Sequence, residues 1–221
     1  MPGIGLVDPA SDNCLRRMVA TAACMGLRQF LDVGQGPDQP SYLHDVAKRS
    51  TPDACYVYAD LRTGVDDVFR WPAVRARIDL EQPTAVVLGS VLHFLADDEI
   101  EHFLTALWQR LVPDSLLLIT AATSDLPGYT PDQVAAVKAF FEQQAGKRVY
   151  LRSGQQILDP LSDCLTLSPG LVRTPAWHAG YEADLVKSPA PYHLALAVQI
   201  RPDRDERHEQ LLRMVSEGTP L

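Results

Sequence analysis

Asp32-Val-Gly-Gln-Gly36 sets an acid and two closely spaced glycines at the end of an apolar run, Phe30 to Val33. Such a turn suits a nucleoside-type cofactor held at the carboxyl end of a parallel sheet, because glycine lets the backbone turn tightly and approach a ligand. Asp32 could pair with loop amides or receive an ammonium group, and Gln35 lies inside the same turn. A second acid, Asp60, ends Tyr56-Val-Tyr-Ala-Asp60, where a carboxylate could accept both hydroxyl protons of a ribose. Gly89 and Ser90 close the run Thr84-Ala-Val-Val-Leu-Gly-Ser90 and complete the candidate cofactor contacts. His93 follows that run, and an imidazole titrating near neutral pH could remove a proton from a substrate hydroxyl or amine. Each residue has a plainer alternative. The glycines would serve an ordinary strand–helix turn, Asp60 would be a solvated strand-end acid, and His93 would bridge a loop and a helix. Tyr42, Trp177 and Tyr181 are the candidate pocket aromatics, with packing of an edge hairpin as the alternative for the late cluster of Trp177, Tyr181 and Tyr192.

Positioning these residues takes alternating strands and helices. Ser11 or Asp12 caps a helix running to about residue 25, with Gly26 as its stop. A strand at 27–33, a helix at 41–48 and a strand at 56–60 follow, then a helical segment broken at Pro72 and resumed at 74–78. The run at 84–90 is continuous, apolar and β-branched, as a central parallel strand should be. A helix at 99–111 and a strand at 115–121 come next. Thr130-Pro131 opens a helix to about 144, stopped at Gly146. A strand at 148–151, a helix from 153 interrupted at Pro160, and a strand at 165–168 precede the last strand at 192–200 and a charged helix at 203–217. The pattern predicts an α/β protein, a doubly wound and mostly parallel sheet with an antiparallel edge hairpin. No linker divides the 221 residues, so one domain is expected.

The totals exclude several partners. A formal net charge of -8 argues against nucleic acid and anionic membrane surfaces. No apolar run reaches the ~18 residues that a membrane span requires, and no secretory leader is visible, so a cytoplasmic protein is expected. Cys14, Cys24, Cys55 and Cys164 are scattered as buried or reduced thiols would be. They show no metal-ligand spacing, and neither do His102, His178, His193 and His208. His44 reads as structural.

The chain resembles a bacterial family of S-adenosylmethionine-dependent methyltransferases. The resemblance rests on Leu15-Arg-Arg17, Arg28-Gln-Phe-Leu-Asp-Val-Gly-Gln-Gly36 and Val91-Leu-His-Phe94, with Leu43-His-Asp-Val-Ala47, Ala59-Asp-Leu-Arg62, Asp79-Leu-Glu-Gln-Pro83 and Pro169-Gly-Leu-Val172 in support. It runs from about residue 13 to 202. It implies a Rossmann-like class I methyltransferase fold, with S-adenosylmethionine between the glycine loop and the neighbouring strand ends. Against the family pattern, this chain begins almost at the first matching helix and is short by about one strand–helix unit after the glycine loop. Tyr42 and Gln35 also replace the family's Asn and Thr. By local sequence Asp60 matches an adenine-side acid, whereas a single right-handed crossover would put it beside the first strand, at the ribose.

Three functions follow from these readings. The first is methyl transfer to a small molecule of bacterial specialised metabolism. The second is a repurposed fold that promotes a cyclisation or isomerisation of a hydrophobic molecule. The third is a noncatalytic accessory subunit or homodimer, joined at the sheet edge that the shortening exposes.

Overall fold

A computed structural model describes residues 9–34, 42–60, 65–177 and 193–200. Helix α1 (Pro9–Cys24) begins two residues before the expected cap. Proline needs no partner for an N–H in a first turn, so the helix can start there. Ser11 is thereby drawn inside, 4% exposed, and its hydroxyl donates to Thr120 Oγ1 at 2.9 Å. Cys14, Leu15, Met18, Val19, Ala22 and Ala23 form one buried stripe at helical spacing. Gly26 ends the helix with φ +99°, a left-handed conformation. The Leu27 N–H reaches Ala22 O and the Gly26 N–H reaches Ala23 O, the paired bonds of a glycine stop.

Strand β1 (Gln29–Gly34), helix α2 (Leu43–Ser50) and strand β2 (Cys55–Asp60) follow. A 3-10 turn at Val65–Arg70 leads to helix α3 (Pro72–Arg77) and strand β3 (Thr84–Gly89). The chain then forms a short 3-10 turn (Leu92–Phe94), helix α4 (Asp97–Trp108) and strand β4 (Leu116–Ala122). Helix α5 (Pro131–Ala145) has the expected start: Thr130 accepts from the Gln133 N–H and the Gln133 side chain accepts from the Thr130 N–H. Gly146, at φ +65°, stops it as expected. Helix α6 (Gly154–Leu158) gives way at Asp159–Leu161 to a 3-10 turn around Pro160. Strands β5 (Leu165–Thr166), β6 (Val172–Arg173) and β7 (His193–Gln199) complete the described chain.

The strands lie in the order β2-β1-β3-β4-β7-β5, with β6 also paired to β7. The first four are parallel, whereas β7 runs antiparallel to β4, β5 and β6. The expected doubly wound sheet with an antiparallel edge is therefore present. The expected strand at 148–151 is not: its neighbourhood supplies a single bridge, Thr123 to Arg152. The helix expected at 203–217 lies outside the described residues.

Alternation along the strands separates two cores. Leu31, Val33, Val86, Leu88, Leu117 and Ile119 pack with Ile100 and Leu104 of α4. Phe30, Ala85, Val87, Leu116 and Leu118 pack with Met18 and Val19 of α1 and Leu43 of α2. Every residue of β4 is buried, which is why its sequence is a continuous apolar run and not an alternating one. By the same alternation Asp32, Asp60 and Gly89 belong to the α1–α2 face.

Candidate functional site

Gly34 and Asp60 close the paired strands β1 and β2 and stand directly opposite each other in register. The short crossover places β2 beside β1, as a single right-handed strand–helix–strand unit requires. Asp60 is only 4% exposed, so the plain alternative of a solvated strand-end acid is set aside. Asp32, one turn of the pleat lower on the same face, accepts a hydrogen bond from the Tyr56 hydroxyl at 2.9 Å. Tyr58, opposite Asp32, shares a 2.9 Å hydrogen bond with His44 Nδ1. This ties the start of α2 to the strand that carries Asp60. His44 is structural, as expected from the sequence.

Of the candidate site glycines, the two within the described residues, Gly34 and Gly89, have intramolecular reasons to lack a side chain. A Cβ on Gly34 would lie 2.7 Å from Val91 Cγ2, and one on Gly89 would lie 2.7 Å from Leu15 Cδ1. Gly89 therefore lets α1 close over β3, while Ser11 of the same helix reaches Thr120. Gly89→Ala must displace Leu15 from its place under α1, and is expected to cost about 1–3 kcal/mol in a urea unfolding curve. Ser90 turns the chain with φ +56°, and its N–H donates to Thr120 O at 2.9 Å. Gln35, Gly36 and Tyr181 lie outside the described residues.

Burial bears on two candidates. Trp177 is 1% exposed, packed into the α1–α2 core, and its carbonyl accepts from Arg17 Nε at 2.8 Å. It packs the late connection and lines a small cavity of about 140 Å³ with Met18, Ala22 and Leu118. His93 is 0% exposed, and its Nδ1 accepts from the Ala122 N–H at 3.3 Å. Its own carbonyl accepts from the Tyr150 N–H at 2.8 Å. That is a bridging placement, and the enclosed ring offers no exposed nitrogen to a substrate. Tyr42 is 64% exposed at the start of α2, its ring centroid 5.9 Å from the Arg16 guanidinium.

Burial, with the positive field of His193, Lys147 and Arg152, lowers the His93 pKa to about 3. The unfolded chain binds that proton near pH 6.5 and the native chain does not, so the unfolded state holds more protons between the two values. Stability should therefore fall as pH drops below about 6.5, by up to about 1.4 kcal/mol per pH unit. Urea midpoints between pH 5 and 7 check this, and His93→Asn, which keeps an acceptor for the Ala122 amide, should flatten the slope. Cys14, fully buried, has its thiol pushed up to about 12 by burial, which removes it as a nucleophile.

Residues 1–65 and 56–202 match the family described as S-adenosyl methyltransferase. The chain belongs to that family. It is an S-adenosylmethionine-dependent methyltransferase, and S-adenosylmethionine is its cofactor. Among solved structures it is similar to a Thermobifida fusca protein assigned to the methyltransferases. The two are 25% identical, over 91% of this chain and 84% of that one, with a TM-score of 0.75. A DUF574 family protein of Streptomyces avermitilis is 20% identical, over 87% of this chain and 83% of that one, at 0.73. An O-methyltransferase family protein of Burkholderia thailandensis is 15% identical, over 88% of this chain and 58% of that one, at 0.51. The last two show the fold. No curated protein matches the chain.

The residues present fit the cofactor of this methyltransferase family. A buried carboxylate, a half-buried carboxylate and a side-chain-free strand end converge on one face of the sheet's carboxyl edge. Those carboxylate acceptors suit a molecule that donates from a ribose diol and an ammonium group. Nothing in the sequence marked Arg152, and the Leu15-Arg-Arg17 match did not say that Arg17 would hold the Thr174 and Trp177 carbonyls.

Proposed function

We propose that this methyltransferase acts on a small molecule of bacterial specialised metabolism, and that Asp60 is its ribose clamp. When bound, S-adenosylmethionine supplies a sulfonium whose methyl is open to in-line attack by an oxygen, nitrogen or carbon. Asp60 would accept the two ribose hydroxyls, Asp32 would receive the ammonium, and Gly34 would let the backbone come close. The protein's contribution would be alignment and exclusion of water more than proton transfer, since His93 is enclosed. The observation that carries the assignment is the buried Asp60 carboxylate opposite Gly34. The overlap of the two family matches at 56–65 supports a chain in which one strand unit stands where the family has two. A net charge of -8 favours a small acceptor over nucleic acid. Among the described residues no helix is long and apolar enough to cross a membrane. A cytoplasmic protein acting as one domain is the reading adopted here, with a second copy paired at the β2 edge as its homodimer form.

Isothermal titration with S-adenosylmethionine and S-adenosylhomocysteine tests the site. Micromolar binding of both is expected. The absence of heat and of a thermal shift at millimolar ligand would overturn it. The cyclase and accessory-subunit alternatives have no comparable support from the comparisons.

A further inference from the structure

On the sheet face away from Asp32 and Asp60, α4 and α6 stand apart. Between them runs a groove of about 460 Å³, a volume that takes a drug-sized molecule. Its floor is Ile119 of β4, and its walls are Ile100, Leu104 and Trp108 on one side with Ile157 and Leu161 on the other. Here α6 is five residues long and passes at Asp159 into a 3-10 turn around Pro160, and the groove opens over apolar residues that are otherwise buried in the core beneath it.

The charge of an occupant is decided by the rim. Asp97, Glu101 and Asp159 line the groove, and among the described residues Arg152 is its one lining cation. All five guanidinium N–H groups of Arg152 are engaged: Nε and Nη2 with Asp97, Nη2 also with Leu95 O, and Nη1 with Leu92 O and Tyr150 O. No donor is left there to hold an anion. Asp97 keeps its second oxygen, and Glu101 and Asp159 are exposed. An apolar trough with a carboxylate rim and a saturated cation selects a hydrophobic body carrying a positive charge.

We infer that the α4–α6 groove is a second binding site, separate from the cofactor site, for a hydrophobic amine. The probe is dansylcadaverine, a primary amine on an aromatic body, read by fluorescence anisotropy on the full chain. Saturable binding is expected, displaced by octylamine and not by octanoate, and weakening as salt is raised. Glu101→Gln with Asp159→Asn should reduce the affinity at least about fivefold. Thr105→Trp, placed from an exposed rim position, should fill the groove and abolish binding without disturbing the core. Bound S-adenosylhomocysteine should leave the probe's affinity unchanged, and its own titration reports separately on the cofactor site. Equal displacement by octanoate, unchanged binding in Thr105→Trp, or competition with S-adenosylhomocysteine would each overturn the assignment.

Discussion

Arg152→Met is expected to lower stability by about 3 kcal/mol, seen as an earlier urea midpoint with an unchanged slope. Arg152 is 7% exposed and ties together the two ends of the 3-10 turn after β3. Removing the guanidinium strands Leu95 O and leaves Leu92 O with only the Leu95 N–H at 3.3 Å, and a buried acceptor left without its donor costs about 1–3 kcal/mol. Methionine keeps much of the stem's apolar volume, so the loss reports hydrogen bonding more than packing. The ion pair with Asp97 is the smaller part, because the Asp97 side chain is 91% exposed and its charge is screened. Asp97→Ala should accordingly cost under about 1 kcal/mol. Arg152→Lys should fall between the two, since an ammonium can reach one carbonyl but cannot fork between both. Equal losses in Asp97→Ala and Arg152→Met would show that the ion pair, and not the carbonyl clamp, holds the turn.

Asp60→Ala is expected to weaken S-adenosylmethionine and S-adenosylhomocysteine by more than about tenfold, or roughly 1.4 kcal/mol. A carboxylate that accepts two hydroxyl protons makes two charge-assisted bonds, and both are lost together. Asp60→Asn is the informative control. The amide keeps the shape and one acceptor but sets a donor against the second hydroxyl, so its affinity should stay well below that of the parent chain. Adenine, titrated as a fragment, should bind the parent chain and both variants alike, which locates the defect at the ribose. An unchanged affinity in Asp60→Ala rejects the clamp.

Much of the fold was legible because its signals are local. The β-branched run at 84–90, Pro131 after Thr130, and Gly26 and Gly146 as stops each act within a few residues, and each appears where the sequence puts it. Strand order was legible in part: a short crossover forces β2 against β1, and that alone sets Asp60 opposite Gly34. The site was less legible, since distance from a strand end says nothing about depth. His93 follows β3 at the expected place, yet the turn that carries it faces inward onto Ala122 and β7. Trp177 likewise sits in the expected connection, but Arg17 draws its backbone against α1. Arg152 could not have been found. Its partners are backbone carbonyls, which every residue has and no sequence pattern marks.

The contacts of α1 bear on how the chain is made. Ser11 bonds to Thr120, and Arg17 bonds to the carbonyls of Thr174 and Trp177, 157 and 160 positions further along. A ribosome adding roughly 5–20 residues per second needs about ten to thirty seconds to span that interval. Helix α1 can pack early against Phe30 and Leu43, yet it waits about that long for the Thr174 and Trp177 carbonyls that Arg17 holds. The sheet's two cores are thus joined to the late connection only after most of the strands are made.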